Sequence, residues 1–115
     1  MLGGMNGYVE ELRGVSRAAF GQTYRLECML AIAESADGMF TLSTLARALD
    51  VSTSNVQSSI KALLATALIS PLDAGDSRSK FYVRNSSSAW EWCAELAGRA
   101  RHASELNEGT PARPV

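Results

Sequence analysis

The sequence predicts a mainly α-helical single domain with one small β-hairpin, built around two short helices joined by a tight turn and flanked by a further helix at each end. Three observations predict it. Residues 41–68, TLSTLARALDVSTSNVQSSIKALLATAL, repeat apolar side chains at helical spacing on both sides of an Asp. Residues 68–84 place two short β-prone runs around a charged, Gly-containing tip. The two ends carry amphipathic patterns of their own, and 115 residues with 46% hydrophobic side chains suffice for one core but leave no room for a second domain.

The first helix is expected over residues 8–20, after a flexible start at Gly3, Gly4 and Gly7. Tyr8, Leu12, Val15 and Ala19 form a narrow stripe, the width of a seam between helices rather than of a deeply buried element. Gly21 then allows a bend. The next helix, about Gln22 to Ser35, has a wide apolar arc of Leu26, Met29, Leu30, Ile32 and Ala33 and is expected to be the central core helix, ended by Asp37-Gly38. Tyr24 and Cys28 lie off that arc, so either they are exposed or a neighbouring element covers them.

In the paired short helices, Leu42, Leu45, Ala46 and Leu49 share one inward face, and Val56, Ile60, Leu63, Leu64 and Ala67 share another. Asp50 stands where the chain must reverse, and Asp tolerates a left-handed backbone better than most residues. Val51 can plug the crevice between the helices, and Ser52, Thr53 and Ser54 are candidate N-caps for the second. This is a helix-turn-helix pattern. The opposite face of its second helix carries Ser54, Asn55, Ser58, Lys61, Ala62 and Ala65. Short side chains let a helix approach the floor of a DNA major groove, Asn can bond bidentately to adenine, and Ser and Ala suit close contact with base edges or the thymine methyl. A lone amphipathic helix with this face is more often simply solvated. The neighbouring segments shift that balance.

Leu68-Ile69-Ser70-Pro71-Leu72 and Phe81-Tyr82-Val83-Arg84 are the hairpin strands, with Pro71 confining the first to an edge or an end. Ser86-Ser87-Ser88 then offers an N-cap for a last helix over residues 89–106. Trp90, Cys93, Leu96, Ala97 and Ala100 line one face of it, and Trp92 and Ala103 widen that face to roughly 160°. Glu91, Glu95, Arg99 and His102 lie opposite, with Glu95 and Arg99 a favourable i, i+4 pair. Residues 107–115, rich in Pro, Gly and polar side chains, are expected to be disordered.

The string TLSTLARALDVSTSNVQSSIKALLATALIS, with SRSKFYVRN in the second half of the hairpin, resembles the winged helix-turn-helix of bacterial transcription regulators, in particular the small MarR-like and ArsR-like proteins. The resemblance covers roughly residues 23–85 and most specifically Thr41 to Asn85; it implies one winged-helix domain over residues 1–106 with its winged core at 22–85. It further implies a sequence-specific regulator that binds double-stranded DNA. Ser52, Thr53, Ser54, Asn55, Gln57, Ser58 and Lys61 would face bases or nearby phosphates, Arg78 and Lys80 would be wing contacts, and Ser43 would bind a phosphate with help from backbone N–H groups. In MarR-like regulators the terminal helices of two subunits pack together. By that resemblance the chain is a homodimer on an inverted repeat, with Tyr8, Leu12, Val15, Trp90, Cys93, Leu96, Ala97 and Ala100 at the interface; the alternative for the last helix is to fold back on its own domain. The alternative is a winged-helix protein-interaction module without DNA binding, which a neutral, serine-rich recognition face also suits.

Net charge is −1, so no general basic signature exists, but residues 41–85 hold five cations against three acids. No apolar run reaches the length of about eighteen residues that a membrane span requires. The start, MLGGMNGYVEEL, has neither the basic region nor the apolar stretch of a signal peptide, and a cytoplasmic protein without membrane partners is expected. Two cysteines and one histidine, His102, give no zinc-ligand spacing. There is no nucleophile beside a plausible base and no glycine-rich phosphate loop, so neither an enzyme nor a cofactor is expected. Cys28 reads as packing, a redox switch or an effector-pocket residue, and Cys93 as packing or a redox sensor; an effector pocket could be lined by Tyr24, Trp90 or Trp92, with its ligand unidentified.

Overall fold

The computed structural model describes residues 3–72 and 80–109. Its elements are α1 (Gly3–Phe20), α2 (Arg25–Glu34), β1 (Met39–Thr41), α3 (Leu42–Leu49), α4 (Thr53–Ala65), β2 (Ile69–Leu72), β3 (Phe81–Arg84) and α5 (Ala89–Gly109). The mainly helical class and the helix-turn-helix core follow the expectation. Several boundaries and one strand do not.

α1 and α5 lie antiparallel. The Arg101 guanidinium stacks 5.2 Å from the centre of the Tyr8 ring at one end, and Phe20 meets Trp92 edge to face at 5.4 Å at the other. Between these pins the two apolar stripes face each other and the α2 core. Leu12, Cys93, Leu96, Ala97 and Ala100 are therefore buried within the chain itself. The sequence placed these five at a subunit interface; within one chain the wide apolar face of the terminal helix already docks on its own domain, so a dimer interface would draw on what this packing leaves uncovered. Tyr8, Val15 and Trp90 stay partly buried against the same core. α1 also begins at Gly3 rather than Tyr8, and α5 runs to Gly109, three residues past the expected end at Leu106. Once a helix is nucleated, each added residue gains a hydrogen bond, so glycines can be carried along.

α2 starts at Arg25, three residues later than the periodicity predicts. Gly21 takes φ 71°, and the Gln22 side-chain oxygen accepts from the Tyr24 backbone N–H at 3.0 Å, which holds this stretch as a turn. No side chain of its own caps α2. Instead the fully buried Ser16 of α1 accepts from the Leu26 N–H at 3.1 Å and donates to the Gln22 carbonyl. Leu26, Met29 and Ile32 fill the centre of the core as expected, and Cys28, off the predicted arc, is fully buried by neighbouring elements. Glu27 is buried too, held in a bidentate pair with Arg13 at 2.8 and 3.2 Å.

The C-terminus of α2 is closed from a distance. Arg84 Nη1 donates to the carbonyls of Ile32, Ala33 and Ser35 at 2.7, 3.1 and 3.0 Å. Gly38, at φ 74°, passes close beneath this side chain, where a Cβ would come within 3.3 Å of the Arg84 Cβ. The Asp37 carboxylate accepts from the Met39 N–H at 3.0 Å, which holds its pKa below the usual range.

The sheet has three strands in the order β1-β3-β2, all antiparallel, not the two expected. β1 pairs Phe40 with Tyr82, whose rings stack at 5.6 Å, and β2 pairs Leu72 with Phe81 and Ile69 with Arg84. Pro71 lies on an edge strand, as its missing N–H demands. The hairpin base is tied down by Asn85, whose side-chain amide N donates to the Ala67 carbonyl and the Ser70 hydroxyl at 2.9 Å each, while its backbone carbonyl accepts from Trp90 Nε1 at 2.7 Å.

Candidate nucleic-acid interface

The candidate element is α3, the turn and α4. Thr41 caps α3: its hydroxyl accepts from the Thr44 N–H at 3.1 Å, and the Thr44 hydroxyl accepts from the Thr41 N–H at 3.1 Å. α3 ends at Asp50 in the left-handed region, φ 56° and ψ 47°, as its residue type predicts. The Val51 N–H then reaches back to the Ala46 carbonyl at 3.1 Å, and the Val51 side chain packs on the core. Of the three candidate caps for α4, Ser52 takes the role, accepting from the Asn55 N–H at 3.3 Å. These devices fix the angle between the helices before any partner arrives.

Val56, Ser59, Ile60 and Leu63 of α4 are buried, so the opposite side is turned to solvent. Ser54, Gln57, Ser58 and Lys61 are exposed there, together with Ser52 and Thr53 at the helix start, and Asn55 is half-buried at the edge. Ala67, counted on the inner face, is not part of the helix. α4 stops at Ala65, and Ala67 is exposed with φ 62° because the chain turns there toward β2, its N–H bonded to the Leu64 carbonyl at 3.0 Å.

Ser43, Arg47, Asp50, Ser52 and Thr53 line one open crevice of about 440 Å³ between α3 and the start of α4. The structure thereby brings together three predicted contacts, Ser43, Ser52 and Thr53, with Arg47, one of the five cations of residues 41–85. Lys80 is exposed just before β3. Arg78 lies outside the described residues. Arg84 belongs to the basic excess of residues 41–85 but points away from this surface, into the end of α2. Arg25 was overlooked: its Nε donates to Ser59 Oγ at 3.3 Å, on the flank of α4. The available signal was Ser59 itself, a polar residue at an inward position of an otherwise apolar pattern.

Neither cysteine is placed to react. Both are fully buried, and burial pushes each thiol up to about 11, so the nucleophilic thiolate is scarce at neutral pH. Among the described residues no group of three His, Cys, Asp or Glu can hold a metal ion, and no helix is long and apolar enough to cross a membrane.

The sequence matches no protein-family model and no curated protein. Solved structures do match. A MarR family transcriptional regulator from Silicibacter pomeroyi is 22% identical, with 99% of this chain and 75% of that chain covered and a TM-score of 0.66. Wild-type MarR from E. coli in its apo form is 16% identical over 91% of this chain and 78% of that one, TM-score 0.67. A MarR family transcriptional regulator from Streptomyces coelicolor, solved in complex with DNA, is 12% identical over 96% and 70%, TM-score 0.63. The chain has the MarR-type winged helix-turn-helix fold, with β2 and β3 as the wing.

Proposed function

We propose that the chain is a transcriptional regulator that reads double-stranded DNA with α4 in the major groove, as a homodimer on an inverted repeat. The observation that carries this reading is the division of α4 into a fully packed inner side and an outer side of exposed, short polar residues. Asn55 and Ser58, with Lys61, are assigned to base edges and nearby phosphates. Ser54 and Gln57 flank them, while Ser43, Ser52, Thr53 and Lys80 act on the backbone, with Arg78, outside the described residues, assigned the same role from its place in the sequence. The Streptomyces coelicolor regulator of the same fold, solved in complex with DNA, supports DNA as the partner. The protein works without catalysis or cofactor, in the cytoplasm, where the genome is accessible.

Dimerisation rests on what the α1–α5 pair leaves uncovered: Trp92 at 44% and Leu106 at 56% exposure, with Tyr8, Val15 and Trp90 partly accessible. A two-fold dimer presents two α4 helices to half-sites one helical turn apart. The competing reading, a protein-interaction module, is favoured by one observation: Lys61 is the single cation of α4. A gel shift with genomic fragments at about 50 mM salt separates them, because phosphate contacts are strongest there. Retarded fragments support the regulator; no retardation of any fragment leaves the interaction module.

A further inference from the structure

Arg25 opens α2, at the end of a helix where free N–H groups disfavour a positive charge. Among the described residues no carboxylate pairs with it; the ion pairs are Arg13 with Glu27 and Arg99 with Glu95. Its Nε donates instead to Ser59 Oγ at 3.3 Å, and its two Nη groups make no further hydrogen bond among the described residues. Ser59 has no exposure at all, and sits where the Val56, Ile60, Leu63 pattern asks for an apolar side chain. Two departures from local preference thus meet in one contact, and such departures concentrate where function, not folding, sets the residue.

The position of that contact on α4 supplies the function. Asn55 and Ala62 lie four residues before and three after Ser59, so they share its side of the helix. Lys61, two residues on, lies about 200° around, near the middle of the outward face. A helix in a major groove about 12 Å wide has a phosphate backbone along each shoulder. α4 brings no cation of its own to the shoulder that carries Asn55 and Ala62. Arg25 stands at that shoulder, its guanidinium held through Nε and its two Nη groups without a further hydrogen bond among the described residues, a geometry that suits a phosphate.

We propose that Arg25 is a contact to the DNA backbone on the Asn55 shoulder of α4, held in position by Ser59. This deepens the DNA-binding reading and rests on it. The test is binding of a labelled mixed-sequence duplex across a salt series, comparing the wild type with Arg25→Gln and Arg25→Lys. Arg25→Gln is expected to lower the slope of log K against log salt by about 0.9 per subunit, and Arg25→Lys to keep it. Wild-type binding with an unchanged slope in Arg25→Gln overturns the proposal while leaving the DNA reader standing. Absence of wild-type binding overturns both. A second measurement needs no variant: duplex DNA should protect Arg25 of the wild-type chain from an arginine-selective dicarbonyl reagent, and equal modification with and without DNA counts against the contact.

Discussion

Nη1 of Arg84, the last residue of β3, lies 2.7 Å from the carbonyl oxygen of Ile32, 52 residues earlier in the chain. One cation thereby closes the end of the core helix and fixes the sheet to it. The carbonyls at a helix C-terminus carry partial negative charge and lack partners of their own, so a guanidinium suits them better than water does. Arg84→Gln should destabilise the fold by about 2 kcal/mol, the worth of charge-assisted bonds to otherwise unpaired carbonyls. Urea unfolding measures it, and a change within about 0.5 kcal/mol, as for an ordinary surface substitution, would show the cap to be idle.

Ala67 adopts φ 62°, a region that an L side chain enters only with strain. Its side chain is exposed, so nothing is lost in packing. Ala67→Gly should therefore stabilise the protein by about 0.5 kcal/mol, the relief of left-handed strain exceeding the added freedom of the unfolded chain. A lower midpoint in thermal unfolding would contradict this.

Cys28 and Cys93 bind their protons more tightly in the folded than in the unfolded chain, with folded values of about 11 against an ordinary 9.0. Their contribution to stability is thus fully present below about pH 9 and is lost as pH rises toward 11. Melting temperature should fall across that window more steeply in the wild type than in a Cys28→Ala, Cys93→Ala double variant. At pH 8 a disulfide exchange reagent should modify neither thiol until the chain unfolds. Rapid labelling of the native protein would reopen redox sensing.

The dimer prediction separates buried from uncovered residues. Leu12→Glu places a charge at a 5% exposed core position and should unfold the chain. Trp92→Glu with Leu106→Glu, both at exposed positions, should leave the helical content intact and halve the sedimenting mass. A wild-type monomer at micromolar concentration, or a dimer indifferent to the Trp92 and Leu106 changes, would place association elsewhere or nowhere.

What the sequence made legible was local. The α3–turn–α4 unit repeats apolar residues at helical spacing and turns at a residue suited to positive φ, so periodicity and Asp50 sufficed. What it hid depends on partners distant in the chain. β1 spans three residues, too few to show alternation, and exists because β3 offers a free edge. The late start of α2 depends on Ser16 of another helix, and the buried Glu27 on Arg13. The same holds in the candidate site. The outer face of α4 could be drawn on a helical wheel, whereas the inward turn of Arg84 and the placing of Arg25 beside Ser59 could not, because a cation's position in the chain says nothing of where its long stem ends. The stripe of Leu12 and Leu96 was legible as a seam, but not which chain would supply the other half.

The most direct test of the central claim is selection from a pool of randomised duplexes by the wild-type chain and by Asn55→Ala. The account predicts that the wild type enriches an inverted repeat with half-sites about 10 base pairs apart. It predicts also that Asn55→Ala still retains duplex DNA but discriminates less, since one base contact is worth about 1–3 kcal/mol of preference. A wild type that enriches nothing at about 50 mM salt, where backbone contacts are strong, or an Asn55→Ala variant with an unaltered preferred sequence and the same discrimination, would contradict the assignment of α4 as the reading helix.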